Sequence, residues 1–65
     1  MIKTTQKEIK NTNARDITAD SKNYGSLDVI AMSFGVYGMN GALLKNEKGE
    51  LFKITARASN LFKYC

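Results

Sequence analysis

The stretch Leu27-Asp28-Val29-Ile30-Ala31-Met32-Ser33-Phe34-Gly35-Val36-Tyr37 has the strongest strand pattern of the chain and decides the expected fold. Large and small side chains alternate along it with a period of two, as they do on the two faces of a strand. The large-residue face carries Ile30, Met32, Phe34 and Val36, and the small-residue face carries Val29, Ala31, Ser33 and Gly35. This pattern predicts either a central strand covered on both sides or a strand with one side tight against another backbone.

Two further strands are predicted downstream, at residues 42–45 and 50–56, on either side of the polar loop 46–49. The last residue of that loop is a glycine, which is typical of a hairpin whose final loop position is left-handed. Upstream, Asn40-Gly41 is a favoured hairpin-turn pair and predicts the preceding turn. The second of these strands is expected to be half exposed, because apolar and polar residues alternate along it: Phe52, Ile54 and Ala56 against Lys53, Thr55 and Arg57.

The first 26 residues are mostly polar and predict short elements that pack against the sheet or remain outside it. Thr5 and Glu8 match a capping box, which predicts a short helix over about 5–11. Residues 14–18 predict a short extended piece, and 19–26 predict a loop or one helical turn. At the other end, Ser59 or Asn60 caps a predicted helical turn that folds Leu61 and Phe62 onto the sheet, with a fourth short strand as the alternative.

These elements predict one α+β domain over residues 1–65, with 1–26 as a polar N-terminal helix and loop and 27–65 as the sheet core. The fold class is a short N-terminal helix, a three-stranded antiparallel β-meander and a C-terminal helical turn. A chain of 65 residues has one cysteine and no histidine, so it has no internal disulfide and no His-based metal site. Small domains that lack both supplements often self-associate, so we expect a homo-oligomer.

Catalysis is not expected, and we predict no catalytic residue, no cofactor and no metal. Ser33 and Ser59 lack a neighbouring base, the carboxylates are scattered, and Asp16 with Asp20 makes too weak a ligand set for a metal. The glycines at 35, 38 and 41 invite comparison with a phosphate loop, but a strand rather than a helix follows them. They therefore predict a bend or bulge, although their backbone amides beside Tyr37 could line a small-ligand pocket.

Binding is the expected function, and three kinds of partner fit the composition. The first is a protein, bound through an exposed apolar patch; the second is a nucleic acid, because the net charge is +4. The third is a small ligand or nucleotide that the protein sequesters. Candidates for the protein interface or ligand site are Tyr37, Met39, Lys53, Arg57, Gly35, Gly38 and Gly41. Candidates for nucleic-acid contact are Lys45, Lys48, Lys53, Arg57 and Lys63.

Three strings in the sequence resemble short uncharacterised proteins of Gram-positive bacteria and of their phages or mobile elements. These are Thr4-Thr5-Gln6-Lys7-Glu8-Ile9-Lys10-Asn11, Ala14-Arg15-Asp16-Ile17-Thr18 and Lys53-Ile54-Thr55-Ala56-Arg57-Ala58-Ser59-Asn60-Leu61-Phe62. The resemblance implies an accessory protein that acts by binding a host protein, a nucleic acid or a signalling nucleotide, and it assigns no functional residue. A polar N-terminus and a lone cysteine predict a cytoplasmic location without membrane association.

Overall fold

The computed structural model describes residues 2–24 and 26–57, which form a five-stranded mixed sheet with one α-helix. The spatial order of the strands is β1-β3-β4-β5-β2. The predicted α+β class is confirmed, and the antiparallel meander is its centre, β3-β4-β5. Along the chain the elements are β1 (Ile2–Lys3), α1 (Gln6–Asn11), β2 (Arg15–Asp16), a 3₁₀ helix (Ser21–Asn23), β3 (Asp28–Gly35), β4 (Gly38–Lys45) and β5 (Leu51–Ile54).

Two short parallel strands border the meander, and neither strand's pairing was predicted. β1 pairs with the middle of β3, and the amide of Thr4 extends this pairing to the carbonyl of Met32 at 2.8 Å. β2 pairs with β5, and the amide of Ile17 continues it to the carbonyl of Lys53 at 2.9 Å. The polar N-terminal region therefore covers part of both edges of the meander, where unpaired backbone groups would otherwise invite other chains.

Helix α1 starts where the capping pattern predicted. The Thr5 hydroxyl accepts a hydrogen bond from the amide of Glu8 at 3.2 Å, and the Glu8 carboxylate accepts one from the Thr4 hydroxyl at 2.5 Å. A helix of six residues is too short to be stable alone and depends on tertiary packing. That packing comes from Ile9, which is 1% exposed.

The core lies on one face of the sheet. The cross-strand pairs Ala42–Ile54 and Leu44–Phe52 point the same way, and the chain between β2 and β3 covers them. In that segment the ring of Tyr24 packs on Phe52, with 5.2 Å between ring centroids. The buried members of this cluster are Ile17, Leu27, Ala42, Leu44, Phe52 and Ile54.

Helix α1 covers the opposite face, where Gly41 allows a close approach. A Cβ at Gly41 would lie 3.2 Å from the Ile9 Cδ1 atom and 3.2 Å from the Ile54 carbonyl oxygen. Because successive residues of a strand face opposite sides, Gly41 faces α1 and Ala42 faces the core cluster. The sheet is therefore covered on both sides along the middle of β4.

The β3–β4 ladder has two register shifts, and the predicted large-residue face of β3 is wrong. Between Val29 and Ala31 the extra residue is in β3, whereas between Ser33 and Phe34 it is Asn40 of β4, because Ser33 pairs with Gly41 and Phe34 with Met39. Met32 is buried, but so are its small neighbours Ala31 and Ser33, so the middle of the strand is covered on both sides as one alternative predicted. Farther along, Phe34 is 56% exposed and Val36 is 93% exposed.

The predicted turn at Asn40-Gly41 is wrong, because both residues lie within β4 and Gly41 pairs with Ser33. The turn consists instead of residues 36–37, between the paired glycines Gly35 and Gly38. Gly38 has a φ of 110°, which a residue with a side chain rarely adopts. The next hairpin follows the prediction, since Gly49 has a φ of 84° at the end of its loop.

The last predicted strand is shorter than expected. Phe52 and Ile54 are buried and Lys53 is half-buried, as the alternation predicted, but β5 ends at Ile54 and Ala56 is exposed. Residues 21–23 form the helical turn that was one alternative for the 19–26 segment. The predicted C-terminal helical turn, with Ser59, Leu61 and Phe62, lies outside the described residues.

Candidate binding site at the hairpin tip

The β3–β4 hairpin extends beyond the covered part of the sheet. Its neighbours stop short of its end, since β1 pairs no farther than Met32 and β5 ends opposite Ala42. We call residues 34–39 the hairpin tip. Three of its four large apolar side chains are mostly in solvent: Phe34 is 56%, Val36 93% and Tyr37 85% exposed, whereas Met39 is half-buried.

An open groove of about 190 Å³ lies at the hairpin tip. It unites five of the seven candidate interface or ligand residues, and it adds Val36 and Asn40, which were not candidates. Its walls combine apolar side chains and a tyrosine ring with the guanidinium-bearing Arg57. The lining residues are Gly35, Val36, Tyr37, Gly38, Met39, Asn40 and Arg57.

Asn40 is held in place from several directions. Its side-chain carbonyl accepts a hydrogen bond from the hydroxyl of Ser33, a buried polar residue that is 2% exposed. Its main-chain carbonyl accepts one from the Gln6 amide nitrogen of α1 at 3.2 Å. Gln6 also donates to the carbonyl of Thr55, and so connects the helix with the chain after β5. The base of the groove is therefore fixed by hydrogen bonds from other parts of the fold.

Gly35 leaves room for the Asn40 side chain. A Cβ at position 35 would lie 2.7 Å from the Asn40 Nδ2 atom, closer than such atoms approach. The glycine thus permits the Ser33–Asn40 hydrogen bond and the groove above it. The spacing of the glycines predicted an irregular backbone here. It did not indicate that Val36, which was expected on the large-residue face of the strand, would be exposed.

Lys53 and Gly41, the other two candidates, lie outside the groove. The Lys53 ammonium donates hydrogen bonds to the carbonyls of Lys10 at 2.9 Å and Thr12 at 3.0 Å, at the C-terminal end of α1. Cations at that end of a helix satisfy free carbonyls and the negative end of its dipole. Gly41 is buried beneath the helix. The structure thus gives Lys53 a capping contact and Gly41 a packing position.

The candidates for nucleic-acid contact are separated along the hairpin. Lys45 and Lys48 are exposed near the β4–β5 loop, whereas Arg57 lies by the groove at the other end of β4. At about 3.3 Å per residue, the length of β4 puts roughly 23 Å between these two ends. Lys63 lies outside the described residues.

A polar cluster ties the turn after β2 to the residue after β5. The Asp16 carboxylate accepts hydrogen bonds from the Thr18 amide at 2.9 Å, the Thr18 hydroxyl at 2.6 Å and the Thr55 hydroxyl at 3.3 Å. The Thr18 bonds are the main reason that the pKa of Asp16 lies below its ordinary value, and Lys53 adds a smaller attraction. Asp16 is thus a residue of β2 whose carboxylate caps the turn that follows. Residues 2–24 and 26–57 contain no group of three or more potential metal ligands.

Comparison of this chain with protein-family models, curated proteins and solved structures finds no match. The resemblance to short proteins of Gram-positive bacteria and their phages therefore stays a prediction. Among the described residues, no helix has the length and apolar character to span a membrane.

Proposed function

We propose that this protein is a non-enzymatic binding protein that inserts its hairpin tip into an apolar pocket of a partner protein. The observation that carries the proposal is the exposure of Phe34, Val36 and Tyr37 on the hairpin tip. Scattered apolar side chains are normal on a protein surface, but adjacent large ones on a projection are typical of interaction sites.

The energetics of burial support an anchor role for these side chains. Burying one large apolar side chain contributes roughly 1.5–3 kcal/mol of stabilisation. Phe34, Val36 and Tyr37 are exposed in this fold, so their burial can stabilise a complex instead. Aromatic residues are common among the few side chains that dominate binding energy. Because the Ser33–Asn40 bond and Gln6 hold the groove in place, less ordering is needed when a partner binds.

The other binding hypotheses have less support from the geometry. Small-molecule pockets usually have volumes of roughly 300–1,000 Å³, whereas this groove has about 190 Å³. Nucleic-acid binding needs cations along one surface, but Lys53 caps the helix and Lys45 lies at the far end of β4 from Arg57.

Affinity capture with three baits tests the proposal. The baits are the wild-type chain, a Val36→Ser/Tyr37→Ser variant, and a Leu51→Ser variant as the matched control. Leu51 is also an exposed apolar residue, at 37%, but lies in β5 away from the tip. Captures are run with nuclease present and quantified by mass spectrometry.

We expect a defined protein that is enriched by the wild-type and Leu51→Ser baits and lost from the tip variant. Enrichment should persist at about 0.3 M salt, because apolar burial is not screened by ions. Equal recovery on all three baits, or recovery that nuclease abolishes, would remove the proposal.

A further inference from the structure

The Asn40-Gly41 pair is chemically reactive wherever its backbone is free to bend. In such a pair the main-chain nitrogen of the glycine can attack the side-chain carbonyl of the asparagine, because glycine has no side chain to hinder the approach and its backbone is flexible. Asn40 is the only asparagine of the sequence that precedes a glycine. It also lines the groove at the hairpin tip, so a change at this residue is a change in the candidate site.

We propose that Asn40 is a deamidation site, which the folded hairpin protects and which reacts when the hairpin opens. The Gly41 nitrogen bonds to the Asn40 Cγ atom and gives up its proton, while the Cγ–Nδ2 bond breaks and ammonia leaves. The product of this step is a five-membered succinimide. Water, the one co-reactant, then opens the ring at either carbonyl and leaves aspartate or isoaspartate at position 40.

The fold keeps the two reacting groups apart. The Asn40 side-chain carbonyl accepts a hydrogen bond from the Ser33 hydroxyl, and the Asn40 main-chain carbonyl accepts one from Gln6 at 3.2 Å. Gly41 pairs with Ser33 in the β3–β4 ladder and is buried beneath α1. Ring closure requires the Gly41 nitrogen to rotate toward the Asn40 side chain, so these contacts must break before the reaction can occur.

Either product would alter the groove. Aspartate replaces a neutral amide with a carboxylate in a groove that is mostly apolar, and isoaspartate adds a methylene group to the main chain of β4 where it pairs with β3. Burying a carboxylate in an apolar partner pocket is costly, so deamidation should weaken binding through the tip. This effect on binding rests on the proposed function, whereas the deamidation itself does not.

Peptide mapping by mass spectrometry, with chromatographic separation of aspartate and isoaspartate, follows the reaction in the full chain at neutral pH. We expect Asn40 to deamidate at least about tenfold faster in denaturing urea than in native buffer, because the rate follows the population of the open state. In urea Asn40 should react before Asn46, whose neighbour Glu47 is bulkier than glycine. Equal rates at Asn40 in the two solutions, or an earlier reaction at Asn46 in urea, would overturn the proposal.

Two serine variants test whether the contacts of Asn40 set its rate in the folded state. Ser33→Ala removes the hydroxyl that holds the Asn40 side chain, whereas Ser21→Ala removes another buried hydroxyl, 4% exposed and outside the hairpin. In native buffer Asn40 should react about two- to tenfold faster in Ser33→Ala than in Ser21→Ala. Equal rates in the two variants would contradict the protection by Ser33. If either variant does not fold, the wild-type rates in buffer and urea still decide the matter.

Asn40→Asp reproduces one product and tests its effect on binding. Used as a bait for affinity capture, it should recover at least about tenfold less of the protein that the wild-type chain captures. Asn46→Asp makes the same chemical change next to the other end of β4 and should capture that protein like the wild type. Equal capture by the two variants would refute the effect on binding. No capture by the wild type would contradict the proposed function, and the deamidation rates would stand independently of it.

Discussion

The ammonium of Lys53 donates a hydrogen bond of 2.9 Å to the carbonyl oxygen of Lys10, so a cation of β5 caps the C-terminus of α1. The same ammonium reaches Thr12 at 3.0 Å. Helix α1 has only six residues, and its own hydrogen bonds cannot sustain it. The sheet therefore stabilises the helix through this lysine as well as through the burial of Ile9.

Lys53→Met should lower the free energy of unfolding by about 1 kcal/mol, because the helix loses its capping cation while the aliphatic stem is kept. Urea unfolding followed by circular dichroism measures this change. Lys48→Met removes an exposed lysine of the β4–β5 loop and serves as the control. Equal effects of the two substitutions would show that the Lys53 contacts contribute nothing.

Asp16 should make stability depend on pH in the acidic range. Its pKa is lowered in the folded state, so its contribution is present above the ordinary carboxyl pKa and is lost as the pH falls through the folded value. Because Asp16 is exposed, solvent screening keeps this contribution below about 1 kcal/mol.

The comparison of Asp16→Asn with the wild type from pH 7 to pH 3 tests this expectation. The substitution should make the unfolding free energy vary less with pH, because the carboxylate whose pKa is lowered by folding is gone. An unchanged profile in Asp16→Asn would contradict the assignment.

Gly41→Ala should destabilise the fold by about 1–3 kcal/mol, because the new methyl group would press on Ile9 and on the backbone carbonyl of Ile54. Gly49→Ala is a useful comparison, since no atom lies within 4 Å of the added Cβ and only its φ of 84° opposes the change. It should cost about 1 kcal/mol. Thermal unfolding measures both, and a neutral Gly41→Ala would contradict the close helix–sheet contact.

Val36→Ser/Tyr37→Ser should change the unfolding free energy by no more than about 0.5 kcal/mol, as expected for exposed positions outside the core. Ile54→Ala, in contrast, should cost about 2–5 kcal/mol, since Ile54 is 0% exposed. Chemical denaturation of the two variants side by side makes the comparison. A large loss in the tip variant would mean that these side chains support the fold.

Local chemistry made much of this structure predictable. The hydroxyl of Thr5 and the carboxylate of Glu8 identified the start of α1, and Gly49 identified the end of the second hairpin loop. The alternation of Phe52, Lys53 and Ile54 predicted which side of β5 is buried. Each of these features depends on residues within a few positions of one another, which is why sequence alone predicts them.

Features that depend on distant residues were not predictable in the same way. Strands of two residues, such as Arg15–Asp16, are too short to show a period. The Asn40-Gly41 pair favours a turn locally, but the turn forms at residues 36–37. Gly41 instead lies within β4, where its lack of a side chain allows Ile9 of α1 to pack closely. Lys53 looked like a surface cation because nothing nearby in the sequence indicated that its partners are Lys10 and Thr12.

Photo-crosslinking from the hairpin tip, in the cells that produce the protein, is the most direct measurement of its role. Benzoylphenylalanine replaces Tyr37 in one variant and Leu51 in a second. We expect one discrete protein adduct from position 37 that is missing from position 51 and unaffected by nuclease. No adduct from position 37, or the same adducts from both positions, would contradict the claim that the tip binds a partner protein.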